Sequence, residues 1–220
     1  SPASVLAELL TAGLGAQCMV WQTSPAAAEL EERVLEWLRL MVGLPEGMAG
    51  VIQDTASTAT LCALLSAREK ASGFAINEKG LGRRLTVYAS DQAHSSVEKG
   101  VKIAGYGRAN LRTIPTDDAY AMIPAALEEA LTRDEAAGIR PACVVATIGT
   151  TSSTAVDPIA EIGGICRRHG VWFHVDAAYA GSSTILPELR WIVRGTEFAD
   201  SFVFNPHKWL FTNFDCSAYY

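Results

Sequence analysis

Residues 171–181, VWFHVDAAYAG, and residues 200–209, DSFVFNPHKW, decide how this chain folds. Each opens on a nearly unbroken apolar run and then breaks into polar residues and a turn. Runs of that kind are strands buried on both faces, unlike the alternating strands of a half-solvated sheet. ACVVATI at residues 142–148 and RLTVYAS at residues 84–90 share this character, and LRTI at residues 111–114 reads as a shorter strand. Amphipathic helical stretches separate them. Ser24 followed by Pro25 supplies an N-cap and a proline at the first helical position. Leu30, Val34, Trp37, Leu38 and Met41 then fall on one stripe until Gly43-Leu44-Pro45 stops the helix. Further helices are expected from Ala56 to Lys70, with Leu61, Leu64 and Leu65 inward, and over residues 95–105, 124–138 and 158–169. Strands alternating with helices predict an α/β fold, a mostly parallel mixed sheet flanked by helices. Ligands of such sheets sit at the carboxyl ends of the strands.

Composition agrees with a packed domain and excludes several functions. Of 220 residues, 49% are hydrophobic and 19% charged, against roughly 25% charged in an average soluble domain. A net charge of −6 leaves no broad cationic field, so a nucleic-acid partner is not expected. No apolar stretch approaches the ~20 residues of a membrane-spanning helix, and the opening SPASVLAELL lacks a basic leader. Five cysteines, odd in number and without a CxxC pair, predict reduced, mostly buried thiols and a cytoplasmic protein. The closing CSAYY has the character of a strand with nothing following to pair with it, which suggests a piece of something longer.

Polar residues just past the strand ends carry the candidate chemistry. Asp176 ends VWFHVD and runs into small residues that let a flat ligand approach the backbone. A buried acid there calls for a cationic partner, although a lone Asp also reads as a turn cap. Lys208 stands between His207 and Trp209 after a buried strand. Partial desolvation there favours a neutral, nucleophilic amine. Thr55, Ala56 and Ser57 open a helix whose free N–H groups suit an anion such as a phosphate; alone, they read as a capped helix. His94 lies at another helix start after the strand TVYA. The four histidines do not form a metal set, and no GxxxxGKS/T or GxGxxG stands at a strand-to-helix junction. A phosphate cradle, an aspartate, an imidazole and a nucleophilic lysine together match pyridoxal phosphate.

Several longer blocks are recognisable, namely QTSPAAAELEERVLEWL (22–38), VIQDTASTATLCALLSAREK (51–70), YASDQAHSSVEKG (88–100), VVATIGTTSSTAVDPIAEIGGIC (144–166), FHVDAAYAGS (173–182) and FADSFVFNPHKWLFTNFDCSA (198–218). Through them the sequence resembles the group II pyridoxal-phosphate-dependent amino-acid decarboxylases, most closely the aromatic-L-amino-acid decarboxylase branch. The resemblance implies the large domain of a fold type I enzyme, truncated at both ends. Residues 1–45 would be a helical lead-in and residues 46–220 the cofactor-binding domain, with the C-terminal domain absent. Lys208 would form the internal aldimine, and Asp176 would pair with the pyridinium nitrogen and stabilise the quinonoid. His94 would stack on the ring, with Ala178 on its other face. Thr55, Ala56 and Ser57, with Asn205 and His207, would hold the phosphate. Thr151 would lie beside the cofactor near the substrate, Phe214 would flank the substrate ring, and Gln17 to Met19 would be lent to a homodimeric partner's pocket. Asp54 and Thr58 depart from the Gly and Glu of some relatives, and Met19 from an often aromatic position. The implied reaction converts an L-amino acid, an aromatic one, to its amine and CO₂. Two alternatives are an aromatic acetaldehyde synthase, distinguished by a mobile loop outside this chain, and an incomplete fragment acting as a scaffold.

Overall fold

The apolar runs form strands with both faces covered. The computed structural model describes residues 1–220. Its helices and strands follow in the order α1 (Pro2–Leu14), α2 (Pro25–Val42), β1 (Val51–Gln53), α3 (Ala56–Ser72), α4 (Ile76–Lys79), β2 (Leu85–Ser90), α5 (Ser96–Ile103), β3 (Leu111–Ile114), α6 (Pro124–Ala136), β4 (Arg140–Thr147), α7 (Ile159–His169), β5 (Trp172–Asp176), β6 (Ser201–Phe204), α8 (Pro206–Trp209) and β7 (Ser217–Tyr219). The seven strands make one sheet in the order β1-β7-β6-β5-β4-β2-β3. From β2 through β6 every pairing is parallel, and β7 runs antiparallel to both of its neighbours.

Strand β4 shows why the pattern is continuous. All of its residues after Arg140 are buried. Val144 and Ala146 enter one core with Leu127 and Leu131 of α6 and Ile162 of α7. Cys143 and Val145 enter the other, with Leu64 of α3 and Val97 and Val101 of α5. Leu64 has no exposed surface, and truncating such a leucine to alanine typically costs about 2–5 kcal/mol. Helix α3 buries Ala59, Ala63 and Ala67 where it packs across β4, β5 and β6. Their small side chains let its axis lie close to the sheet, which sets its N-terminus beside the strand ends. The chain leaves β2 for β3 on one side and returns to β4 on the other, so the strand order reverses between β2 and β4.

Three expectations are corrected. Ser24 occupies the N-cap of α2 but makes no side-chain capping bond, and the buried residues of α2 are Leu35, Arg39 and Val42. Leu30, Trp37 and Met41 stay exposed. The Arg39 guanidinium decides the orientation: it donates to the Leu44 and Pro45 carbonyls at 2.9 and 2.8 Å and to both Glu36 carboxylate oxygens. A charge with acceptors for four of its five N–H groups can be buried, and the core face turns by one residue, about 100°. The second correction concerns β7, which is paired on both sides, with Tyr219 opposite Val51 of β1 and Val203 of β6. Tyr220 seals this edge by donating to the Leu35 carbonyl at 2.6 Å. The third concerns the cysteines. All five are free, but only Cys143 and Cys166 are buried; Cys62 and Cys216 are partly buried and Cys18 is exposed.

Candidate active site

Four parallel strands end at one cavity of about 220 Å³. The turn after β2 brings His94, β4 brings Thr147 and the following Gly149 and Thr151, β5 brings Asp176 with Ala178 and Tyr179, and β6 brings Asn205, His207 and Lys208. The start of α3 adds Thr55, Ala56 and Ser57, and Phe214 stands at the margin. Eleven of the thirteen residues singled out in the sequence therefore converge. The other two, Gln17 and Met19, are exposed and lie outside the cavity. Thr147, Gly149 and Tyr179 were not anticipated. Gly149 had a signal, a glycine directly after a strand end. Its φ is +82°, and a Cβ there would come within 2.6 Å of the Ala180 Cβ.

Asp176 is almost fully buried, and its Oδ1 accepts from the Ala178 N–H at 3.0 Å. Burial raises its pKa, while the Ala178 bond and the nearby Lys208 charge pull it down. The carboxylate is thus held in place by the turn, in a cavity that Lys208 and His94 also line. Lys208 is exposed, since the burial of β6 continues only through Pro206. The desolvation expected of it is not supplied by this chain's own residues.

The histidines are fixed by main-chain donors. Nδ1 of His94 accepts from the Ser96 N–H at 3.2 Å and lies 2.9 Å from the Ser96 hydroxyl, which leaves Nε2 to carry the ring proton. The Cys216 N–H donates to Nδ1 of His207 at 2.9 Å, and Ser217 Oγ donates to Asn205 Oδ1 at 2.8 Å. Cys216 and the first residue of β7 therefore set both residues past the end of β6. Burial lowers the His207 pKa, and the Lys208 charge acts in the same direction. Aromatic contacts brace the opening: Tyr179 meets Trp209 edge-on at 5.3 Å, and Phe214 meets His207 at 4.7 Å.

At the start of α3, Thr55 Oγ1 accepts from the Thr58 N–H at 3.2 Å, and the Asp54 carboxylate accepts from the Thr55 N–H at 2.7 Å. Ala56 and Ser57 follow in the first turn, where N–H groups have no intrahelical acceptor. Behind the cavity, Asp157 accepts from the N–H groups of Thr147 and Met122 at 2.7 and 2.8 Å. Burial pushes its carboxyl up to about 6.

These groups fit pyridoxal phosphate. An amine stands on one side of the cavity and a buried carboxylate on another; a helix end offers N–H groups to an anion, and Ala178 and an imidazole supply flat walls. A parallel sheet carrying that set at its strand ends defines a pyridoxal-phosphate protein of fold type I. The chain belongs to the pyridoxal-dependent decarboxylase family, whose conserved-domain model matches residues 1–220. It is 50% identical to the aromatic-L-amino-acid decarboxylase of Bos taurus, across 98% of this chain and 46% of that protein. It is 49% identical to the phenylacetaldehyde synthase of Arabidopsis thaliana, across 99% of this chain and 46% of that protein. The crystal structure of Oryza sativa TDC with PLP and tryptamine superposes with a TM-score of 0.95 at 42% identity, covering all of this chain and 47% of that one. The chain spans about half the length of the curated relatives it matches.

Proposed function

We propose that the protein containing this chain is a pyridoxal-phosphate-dependent carboxy-lyase that converts an aromatic L-amino acid to its amine and CO₂. The observation that carries this reading is the convergence of Lys208, Asp176, His94 and the start of α3 on one cavity, in a chain half identical to an aromatic-L-amino-acid decarboxylase. When bound, pyridoxal phosphate supplies an aldehyde for an amine and a ring that accepts the electron pair left as CO₂ departs. Lys208 is the amine that would hold the aldehyde in place before a substrate amine arrives. Asp176 holds a proton at the ring nitrogen, and its buried, turn-fixed carboxylate makes that interaction strong. Ala56 and Ser57 offer first-turn N–H groups to the phosphate, with Asn205 and His207 closing that end. His94 and Ala178 would hold the ring between them, and His94 and Thr151 would orient the substrate carboxylate so that its bond to Cα is the one that breaks. Phe214 lies against the substrate side chain.

A homodimer completes this site. Helix α1 buries none of its residues, and Val5, Leu6, Leu9, Leu10 and Leu14 are all exposed. That unpaired apolar face supports an interface with a second copy, through which Gln17 and Met19 reach the partner's cavity. No helix is long and apolar enough to cross a membrane. Five free cysteines support a reducing, cytoplasmic setting.

The test is product analysis of the full-length protein with pyridoxal phosphate and a panel of tryptophan, tyrosine, DOPA, phenylalanine and histidine. Amine and CO₂ in equal amounts support the proposal. The likeness to a phenylacetaldehyde synthase favours one second reading: decarboxylation with oxidative deamination, consuming O₂ and water and giving aldehyde, CO₂, ammonia and peroxide. Ammonia and peroxide in step with CO₂ would select it. The absence of any visible absorption change on adding pyridoxal phosphate would reject both and leave a scaffold.

A further inference from the structure

Strand β4 outlasts its neighbour β2. The final register pair between them is Ala89 with Val145, two residues before the end of β4. On the other side, Thr147 is still paired with Asp176 of β5. The N–H and C=O of Thr147 that would have bonded a longer β2 need partners, because a buried main-chain polar group left unpaired is costly.

Asp157 supplies both. Its main-chain N–H donates to the Thr147 carbonyl at 3.0 Å, and its Oδ2 accepts from the Thr147 N–H at 2.7 Å. Its Oδ1 accepts from the Met122 N–H at 2.8 Å, which ties in the segment after β3. Only 1% of Asp157 is exposed, so these contacts lie out of competition with water. The residue also closes the stem of a loop. Ile148 bridges Val156, and the Gly149 and Thr150 N–H groups both donate to the Ala155 carbonyl, at 2.9 and 3.0 Å. Three cavity-lining residues, Thr147, Gly149 and Thr151, stand on this stem and loop, and Gly149 is seated tightly against Ala180.

We infer that Asp157 is a positioning residue for the active site: by replacing the missing strand at Thr147, it sets where Thr151 stands in the cavity. It touches neither substrate nor cofactor. The inference rests on the decarboxylase reading for its effect on rate, but not for its effect on the loop. A displacement of about 1 Å at such a position can lower a rate about 100-fold. Asp157→Asn keeps the size of the side chain and one acceptor, and sets an NH₂ group against one of the two N–H donors.

The experiment compares full-length wild type, Asp157→Asn and the exposed loop-tip control Ser152→Ala at pH 8. It measures amide hydrogen exchange, cofactor absorption and, with whichever amino acid wild type turns over, kcat and KM. For Asp157→Asn the expected result is a loss of protection confined to Thr147, Met122 and residues 148–156. The visible cofactor band is retained, and kcat falls about 30- to 100-fold with KM changed less than threefold. Ser152→Ala matches wild type throughout. Unchanged kcat, or protection lost evenly across the sheet, overturns the inference and makes Asp157 a general brace. If wild type turns over no amino acid, the functional reading fails, and the exchange pattern alone decides whether Asp157 sets the loop. Should Asp157→Asn not fold, Asp157→Glu is read in the same way. It keeps both acceptors but is one methylene too long.

Discussion

Asp176 and Thr147 are register partners at the ends of neighbouring parallel strands, and both line the same cavity. The Ile148 N–H donates to the Asp176 carbonyl at 2.9 Å, so the loop bearing Thr151 leaves the sheet from beside the buried acid. The two sides of the site are thereby set by one piece of sheet hydrogen bonding.

Asp176→Asn keeps the shape of the side chain and removes its charge. In the cofactor-loaded full-length protein, kcat is expected to fall about 10²–10³-fold, the range found when a single preorganised electrostatic contact is removed. Cofactor affinity falls as well. Steady-state kinetics and equilibrium dialysis read the two effects, and a variant with full turnover would remove Asp176 from the ring nitrogen.

Gly149→Ala puts a Cβ within 2.6 Å of the Ala180 Cβ at a residue with φ +82°. Overpacking of this kind costs about 1–3 kcal/mol, and the positive φ adds strain. Urea unfolding is expected to show a loss in that range, accompanied by reduced turnover. An unchanged midpoint would mean that the loop is free to move away from the turn after β5.

His174 is fully buried within strand β5, with Nδ1 2.9 Å from the Ser201 hydroxyl, and burial lowers its pKa to about 3. Unfolded, the ring titrates near 6.5. Between these values the unfolded chain binds a proton that the native state refuses, so stability falls as pH falls. From pH 7 to pH 5, wild type should lose about 2 kcal/mol more than His174→Phe. Asp157 acts with the opposite sign: its carboxyl, raised to about 6 in the native state, favours folding below that pH. Comparing the variant with wild type at each pH cancels that contribution. Parallel stability curves for the two proteins would contradict the buried neutral ring.

Asp54 places an exposed carboxylate on the Thr55 N–H at the helix end assigned to the phosphate. A negative charge there competes with an anion for the same positive end of α3. Asp54→Asn is expected to tighten pyridoxal phosphate binding about three- to tenfold at low salt, with less effect as salt is added. Pyridoxal, lacking the phosphate, should show no difference. Equal tightening for both ligands would separate Asp54 from the phosphate.

The sheet interior was legible because β4, β5 and β6 are covered on both faces, and double burial leaves an unbroken apolar run. Towards the β1 edge only β7 was, as the closing CSAYY. β1 has three residues, one of them Gln53, and only its pairing with β7 makes it a strand. The face of α2 was misread because Arg39 looks like a surface residue until its four acceptors are seen. In the site, Asp176 and Lys208 stood out as polar residues just beyond apolar runs. Tyr179 did not, because its place depends on the edge contact with Trp209, a residue 30 positions away. Asp157 reads locally as the residue before a helix proline; its contact with Met122 spans 35 positions.

The central claim is that one lysine anchors the cofactor. Borohydride reduction of the cofactor-loaded full-length protein, followed by peptide mass spectrometry, tests it directly. The account predicts loss of the visible band, a pyridoxyl group on Lys208 and no such group in Lys208→Ala. A label on another lysine, or a reducible band surviving in Lys208→Ala, would contradict it.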